Sequence, residues 1–257
     1  MANVIKRRKR WVAVGCTHGI YQDNAAVNAF LKWVDEYKPD TRIFLGDGMD
    51  TACLRRGATG TPDEGVSLGE DGTAFFNLMD LYRPTLLMMG NHENRLWQCL
   101  DSQKEVVKFA AKCIIDRIKG CADKHEAELV TYGTIADGHS WRLIGGTAFG
   151  HGFMFNEQAC RDHAEYLGRD VVFAHMHKVL QQKGRCINSP TGYCVGTLCD
   201  IPAMAYASTR RATAAWSMGW AWGEHTEDQC NVNLYELRRS SEQTTIPTAK
   251  CAMPGRR

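Results

Sequence analysis

The sequence has no apolar run approaching the ~20 residues that a membrane-spanning helix needs, and no apolar signal region near its start. These two absences argue against a secreted or membrane-inserted chain, so a cytoplasmic protein with no membrane partner is expected. Charge of one sign is also scarce: 31 Lys and Arg stand against 29 Asp and Glu, a net of +2. No global field is on hand to grip nucleic acid, although Lys6, Arg7, Arg8, Lys9 and Arg10 form a local basic run, with residues 1–9 read as a basic tail. Cysteine is abundant, at 11, but CxxC pairs are missing, so neither a disulfide framework nor a zinc ribbon is spelled out. Cys186, Cys194, Cys199 and Cys230 lack the short spacings of a zinc site and are read as reduced core residues. Repeats and dividing linkers are absent as well, so residues 1–257 are read as one domain.

What is present is an alternation of short apolar runs with helical patterns, the signature of an α/β fold whose strands are joined by helical crossovers. "RWVAVG" (10–15), "TRIFLG", "PTLLMMG", "ELVTYGTI", "SWRLIGGTAFG", "RDVVFAH" and "NVNLYEL" read as strands. Residues 23–39 read as an amphipathic helix with Val27, Phe30, Leu31 and Val34 on one face, stopped by Pro39. "AFFNLMDLY" reads as a second helix, a long one is expected from about Glu93 to Lys119, and another near "NEQACRDHAEYLG". Residues 48–72 are glycine-rich and aperiodic, and a loop of that length in a compact domain is usually functional or disordered.

The strands end in a consistent way. "VAVGCTHG", "IFLGDGMD", "LLMMGNHE", "TAFGHG" and "VVFAHMH" each run from apolar residues into a His, Asp, Asn or Cys beside a glycine or alanine. Carboxyl ends of neighbouring strands lie side by side at the edge where α/β sheets bind ligands. That edge would gather Cys16, His18, Asp47, Asn91, His92, His151, His175 and His177. Imidazoles, a carboxylate, an amide oxygen and a thiol together suit borderline divalent metals, and there are too many donors for one tetrahedral ion. Two ions sharing a carboxylate would activate water and clamp a phosphoryl group.

The ordered blocks "GDGMD", "GNHE", "GHG" and "AHMH", preceded by a histidine two residues beyond a strand end, resemble the calcineurin-like metallophosphoesterases, over about residues 10–180. "GTLCDIP" and "WSMGWAWGEH" are similar in style to the closing strands of compact, often phage-encoded members. The resemblance implies a two-sheet α/β sandwich with helices outside. It implies one metal held by Cys16, His18, Asp47 and His177 and a second held by Asp47, Asn91, His151 and His175. It places His92 over the substrate as transition-state stabiliser and proton donor, and Asp50 as the carboxylate orienting it; Arg95, just after, is read as either a contact to a phosphate oxygen or a solvent-facing residue in the first turn of a helix. The expected reaction is hydrolysis of a phosphate mono- or diester by a metal-bridging hydroxide.

One position departs from that pattern, since Cys16 stands where the family motif has aspartate. It is either a thiolate ligand, which would favour zinc or iron there and leave manganese, iron or zinc at the other position, or a buried inert residue. Two further readings stay open: a nuclease on the same scaffold, and a scaffold that binds partners without catalysis. Trp216, Trp220 and Trp222 are expected to pack on the core, the alternative being a platform on which bases stack.

Overall fold

The computed structural model describes residues 8–133, 140–204 and 214–238. Its strands are β1 (Lys9–Val14), β2 (Thr41–Phe44), β3 (Leu86–Met88), β4 (Glu128–Val130), β5 (Trp141–Ile144), β6 (Thr147–Gly150), β7 (Val171–Phe173), β8 (Val179–Lys183), β9 (Thr191–Val195), β10 (Gly219–His225) and β11 (Asn233–Glu236). The helices are α1 (Asn24–Tyr37), α2 (Leu68–Tyr82), α3 (Asn91–Cys99), α4 (Glu105–Lys124) and α5 (Ala159–Leu167). One sheet runs β11-β10-β1-β2-β3-β4 and the other β5-β6-β7-β9-β8. β1 to β4 are parallel, as are β6, β7 and β9, with antiparallel strands at the margins. Both sheets are therefore mixed, flanked by helices, as the resemblance implied.

The alternation of strand side chains explains the layers. Trp11 and Ala13, Ile43 and Leu45, Leu86 and Met88 point between the sheets and meet Phe149, Val172, Ala174 and Val195 from the other side. Trp11 and Phe149 touch edge to face with centroids 4.9 Å apart. Residues of the opposite parity, Val12, Val14, Phe44 and Leu87, face α1, α2 and α4. On the second sheet Ala148, Val171, Phe173 and Cys194 face α5. α1 begins where the Asp23 carboxylate accepts the Ala26 N–H at 2.9 Å, and α2 where Ser67 accepts that of Glu70 at 3.2 Å.

Several expectations change. The helix expected from Glu93 to Lys119 is two helices, because residues 100–102 wind through i to i+3 bonds and the Ser102 hydroxyl takes the Lys104 N–H at 3.2 Å, leaving α4 to begin afresh. "SWRLIGGTAFG" is a hairpin, with Gly145 at φ 55° and Gly146 at φ 83° making the two-residue turn between β5 and β6. "ELVTYGTI" pairs only over Glu128–Val130, and its last two residues lie outside the described ones. The glycine-rich stretch closes earlier than expected, since α2 starts at Leu68, and short turns of 3-10 helix punctuate it at Ala52–Leu54 and Pro62–Gly65. β8 and β9 were not expected. Trp220 and Trp222 pack on Trp33, with centroids 5.8 and 5.9 Å away, as core residues should. Lys6 and Arg7 lie outside the described residues, while Arg8 pairs with Glu224 at 3.3 Å. Among the described residues all cysteines are free, and no helix is long and apolar enough to cross a membrane.

The segment after β6 is fixed by a buried histidine. His163 on α5 donates from Nδ1 to the Ala159 carbonyl (2.6 Å), so its Nε2 accepts the N–H groups of Phe153 (3.0 Å) and Met154 (3.2 Å). Burial between Phe153 and Phe173 lowers its pKa to about 4. An imidazole neutral when folded but protonated when unfolded makes the unfolded chain the better proton binder between pH 6.5 and 4. Stability from this group is complete above about pH 6.5 and falls as pH drops through that window, by roughly 1 to 3 kcal/mol. Urea midpoints at pH 7 and pH 5 should show this drop in the wild type and a smaller one in His163→Gln; equal drops would contradict it.

Candidate metal centre

Every predicted ligand follows a strand end, but the strands belong to both sheets, three to the first and two to the second, so the donors meet where the ends of two sheets converge and not along one sheet edge. Cys16 and His18 follow β1, Asp47 follows β2, Asn91 and His92 open α3 after β3, His151 follows β6, and His175 and His177 follow β7. The turns that aim them inward are tight. Cys16, His18, Asp47, His175 and His177 all hold positive φ, between 51° and 64°, a region that residues with a side chain seldom occupy. Donor atoms of Cys16, His18, Asp47 and His177 lie within 4.8 Å of one another, and so do those of Asp47, His151 and His175. Asn91 joins the second set, its Oδ1 3.0 Å from His151 Nε2. Asp47 belongs to both sets.

The electronic character of these atoms shows what would satisfy them. His151 turns Nδ1 to the Leu45 carbonyl at 2.8 Å, which fixes the proton there and leaves a lone pair on Nε2. That lone pair faces the Asp47 carboxylate Oδ2 at 3.1 Å, the Asn91 Oδ1 and, at 3.3 Å, His175 Nδ1. His18 likewise turns Nδ1 to Asp50 Oδ1 (2.9 Å) and meets Nε2 of His177 at 2.9 Å through its own Nε2. The buried Nδ1 of His177 has no hydrogen-bond partner, its ring lying edge-on to Trp216 with centroids 4.2 Å apart. Imidazole nitrogens, an amide oxygen and a carboxylate converging on one spot are the electronic complement of a cation.

The titration of the same groups agrees. Burial lowers His175 to about 3 and pushes His177 well below its usual range, the neighbouring imidazoles adding to both. Burial also lowers His151, but the Asp47 charge overrides it and the net shift is upward. Burial would raise Asp47, yet His151 and His92 hold its carboxyl well below the usual range. Burial, reinforced by Asp47, pushes the Cys16 thiol up, against the His175 N–H that reaches Cys16 Sγ at 3.2 Å. Asp47 thus calls for positive charge, while His175 and His177 stay neutral, the form in which histidine binds metal.

His92 sits above this centre. Its N–H donates to Asp47 Oδ1 at 2.9 Å, and its Nδ1 lies 3.0 Å from Asp50 Oδ1 and 2.8 Å from the Asp50 carbonyl. Burial opposes its protonation, but the charges of Asp47 and Asp50 raise it to about 9. Asp50 therefore meets His92 as expected, and it also meets His18, which the sequence did not suggest. Arg95 uses Nη1 to donate to the Asp50 carbonyl at 2.8 Å and to the Thr51 hydroxyl at 3.3 Å, bracing this turn.

Sequence reasoning missed Glu93. Fully buried, it accepts the N–H of Met49 on Oε1 (2.7 Å) and those of Asp47 (3.0 Å) and Gly90 (2.8 Å) on Oε2. Its one sequence signal is position: a glutamate three residues beyond Gly90, the residue that caps the start of α3, is placed to reach back to that residue's N–H.

The calcineurin-like phosphoesterase model matches residues 9–179, more than half of the chain. The chain belongs to that family. No curated protein matches the sequence. Similar solved structures include a conserved uncharacterised protein, a predicted phosphoesterase, from Streptococcus pneumoniae (14% identity over 90% of each chain, TM-score 0.38). YfcE, a phosphoesterase from E. coli, matches at 12% identity over 83% of this chain and 87% of its own, with TM-score 0.37. Vacuolar protein sorting 29 from Cryptosporidium parvum matches at 10% identity over 90% of this chain and 99% of its own, with TM-score 0.41. Family and side chains together fit a dinuclear divalent metal site.

Glu93→Gln should move the shared carboxylate, because an amide presents one acceptor and one donor where three N–H groups need acceptors. We expect a stability loss of about 1 to 3 kcal/mol and metal lost to a weak chelator that the wild type resists. Urea denaturation and elemental analysis after dialysis check this; wild-type metal retention would show that Glu93 does not govern Asp47.

Proposed function

We propose that the protein hydrolyses a phosphate mono- or diester by direct attack of water, with no phosphoenzyme. The observation that supports it most is two donor sets sharing Asp47, with His92 set above them by Asp50. Cys16, His18, Asp47 and His177 would hold one metal, and Asp47, Asn91, His151 and His175 the other. Two divalent cations there would supply Lewis-acid charge for the phosphoryl oxygens and bring the pKa of bound water from 15.7 down to about 7. His92 carries its proton toward the leaving oxygen from Nε2, which lies 3.8 Å from Asp47 Oδ2, since Nδ1 is committed to Asp50. Asp50 fixes the His92 tautomer and steadies its positive form, as the carboxylate of a catalytic triad does. Sulfur at Cys16 favours zinc or iron in the first set; the second suits manganese, iron or zinc.

Metal analysis with assays on para-nitrophenyl and alkyl phosphates tests the reading, and metal-loaded protein inert toward every ester would overturn it. In His92→Ala, metal content should hold while kcat falls about 10²- to 10⁴-fold, less for leaving groups of low pKa, which need no proton. Equal losses for good and poor leaving groups would remove the acid role.

Cys16 has its own test. X-ray absorption of the zinc- or iron-loaded protein should find one sulfur at about 2.3 Å, lost in Cys16→Ser along with affinity at that set. A shell of nitrogen and oxygen alone would leave Cys16 a core residue.

A further inference from the structure

The turn that carries Asp47 and Asp50 is gripped from two sides by carboxylates outside the donor sets. Glu93 takes the N–H groups of Asp47 and Met49, and Asp71 takes those of the next two residues. Asp71 lies in the first turn of α2 and is fully buried. Its Oδ2 accepts the Thr51 N–H at 2.8 Å, and its Oδ1 accepts those of Asp50 at 3.2 Å and Ile20 at 3.4 Å. The chain after β1 presses on the same carboxylate: a Cβ at Gly19, where φ is +53°, would lie 1.8 Å from Asp71 Oδ1. One side chain thus ties the turn bearing Cys16 and His18 to the turn bearing Asp47 and Asp50.

Asp50 and Thr51, two of the three residues that Asp71 grips, lead to His92. Asp50 Oδ1 accepts from Nδ1 of His92 and of His18. Thr51, held at φ 48°, donates its hydroxyl to the His92 carbonyl at 2.8 Å. A buried carboxylate is costly and survives where several donors converge on it. An amide of the same size offers one oxygen, so in Asp71→Asn an NH₂ group would oppose at least one of the three N–H groups. We propose that Asp71 is a positioning residue for the reaction, holding His92 in its proton-donating pose through Asp50 and Thr51. This rests on the phosphoesterase reading.

The test compares wild type with Asp71→Asn on para-nitrophenyl phosphate and on an alkyl phosphate, with metal content measured on the same samples. Metal stoichiometry and KM should hold. kcat should fall about 10- to 100-fold for the alkyl ester, part of the full effect of a general acid, and far less for the para-nitrophenyl ester. A loss equal for both esters, or one accompanied by loss of metal, overturns the proposal and makes Asp71 a structural brace. Wild type inert on both esters when loaded with metal is a different failure, that of the phosphoesterase reading, and takes the proposal with it. Asp71→Ser, which leaves room for water to take up the N–H groups, repeats the comparison if the amide variant does not fold; it should show the same leaving-group dependence, weaker in size, and its absence also overturns the proposal.

Discussion

Five residues with side chains held at positive φ, all at strand ends, are the constraint on which the rest of the molecule turns. Each costs on the order of 1 to 2 kcal/mol relative to an ordinary backbone conformation. Such conformations persist only where the surroundings over-determine them. Here the strand-end turns are bonded to one another: Cys16 N–H to the Gly46 carbonyl at 2.8 Å, His18 N–H to that of Asp47 at 3.0 Å, and Ala174 N–H to that of His151 at 3.1 Å. Parallel pairing sets the turns after β1 and β2 side by side, and the interdigitated layer between the sheets holds the turn after β7 against them. The strain is the means by which side chains from strands of both sheets all point to one spot.

The same arrangement explains two kinds of buried acid. Asp47 and Asp50 face imidazoles, and both carboxyls are held low against the effect of burial. Glu93 and Asp71 face only backbone N–H groups, and burial raises both, Asp71 to about 6. The first pair meets the imidazoles of the donor sets and His92, while the second shapes the loop that carries the first. Division of labour between carboxylates follows from what each one touches, and residue type alone does not reveal it.

That distinction marks what a sequence can and cannot yield. The strand ends were readable because apolar runs, glycines and metal-binding residue types recur together five times; the two-sheet fold and the division of the donors into two sets came from the family resemblance that those blocks carry. Glu93 and Asp71 were hidden because their partners are backbone groups 3 to 51 residues away, which carry no residue signature. The hairpin between β5 and β6 read as one strand because its two glycines interrupt the apolar pattern without a polar break. β8 escaped because its residues, Val179 to Lys183, are all at least partly exposed and lack an apolar run. The helix from Glu93 was split by local side-chain to backbone bonding around Ser102, which periodicity does not register.

Cys16 had two readings, metal ligand or inert core residue, and its surroundings carry features of each. It belongs to the buried layer between the sheets, with Ala13, Leu45 and Ala174, and its sulfur also lies among the donor atoms of His18, Asp47 and His177. Its own backbone and sulfur join both sheets: the carbonyl accepts the Leu198 N–H at 3.3 Å and the Thr197 hydroxyl, and the sulfur accepts the His175 N–H at 3.2 Å. An aspartate in that place would bring a second full charge beside Asp47, to be balanced entirely by cations. A thiol can stay neutral when no cation is near, because burial and Asp47 both push its pKa up, and can ionise when one arrives. The substitution therefore lowers the charge that the folded chain must bury without metal, and keeps a donor at the position where the family motif has a carboxylate.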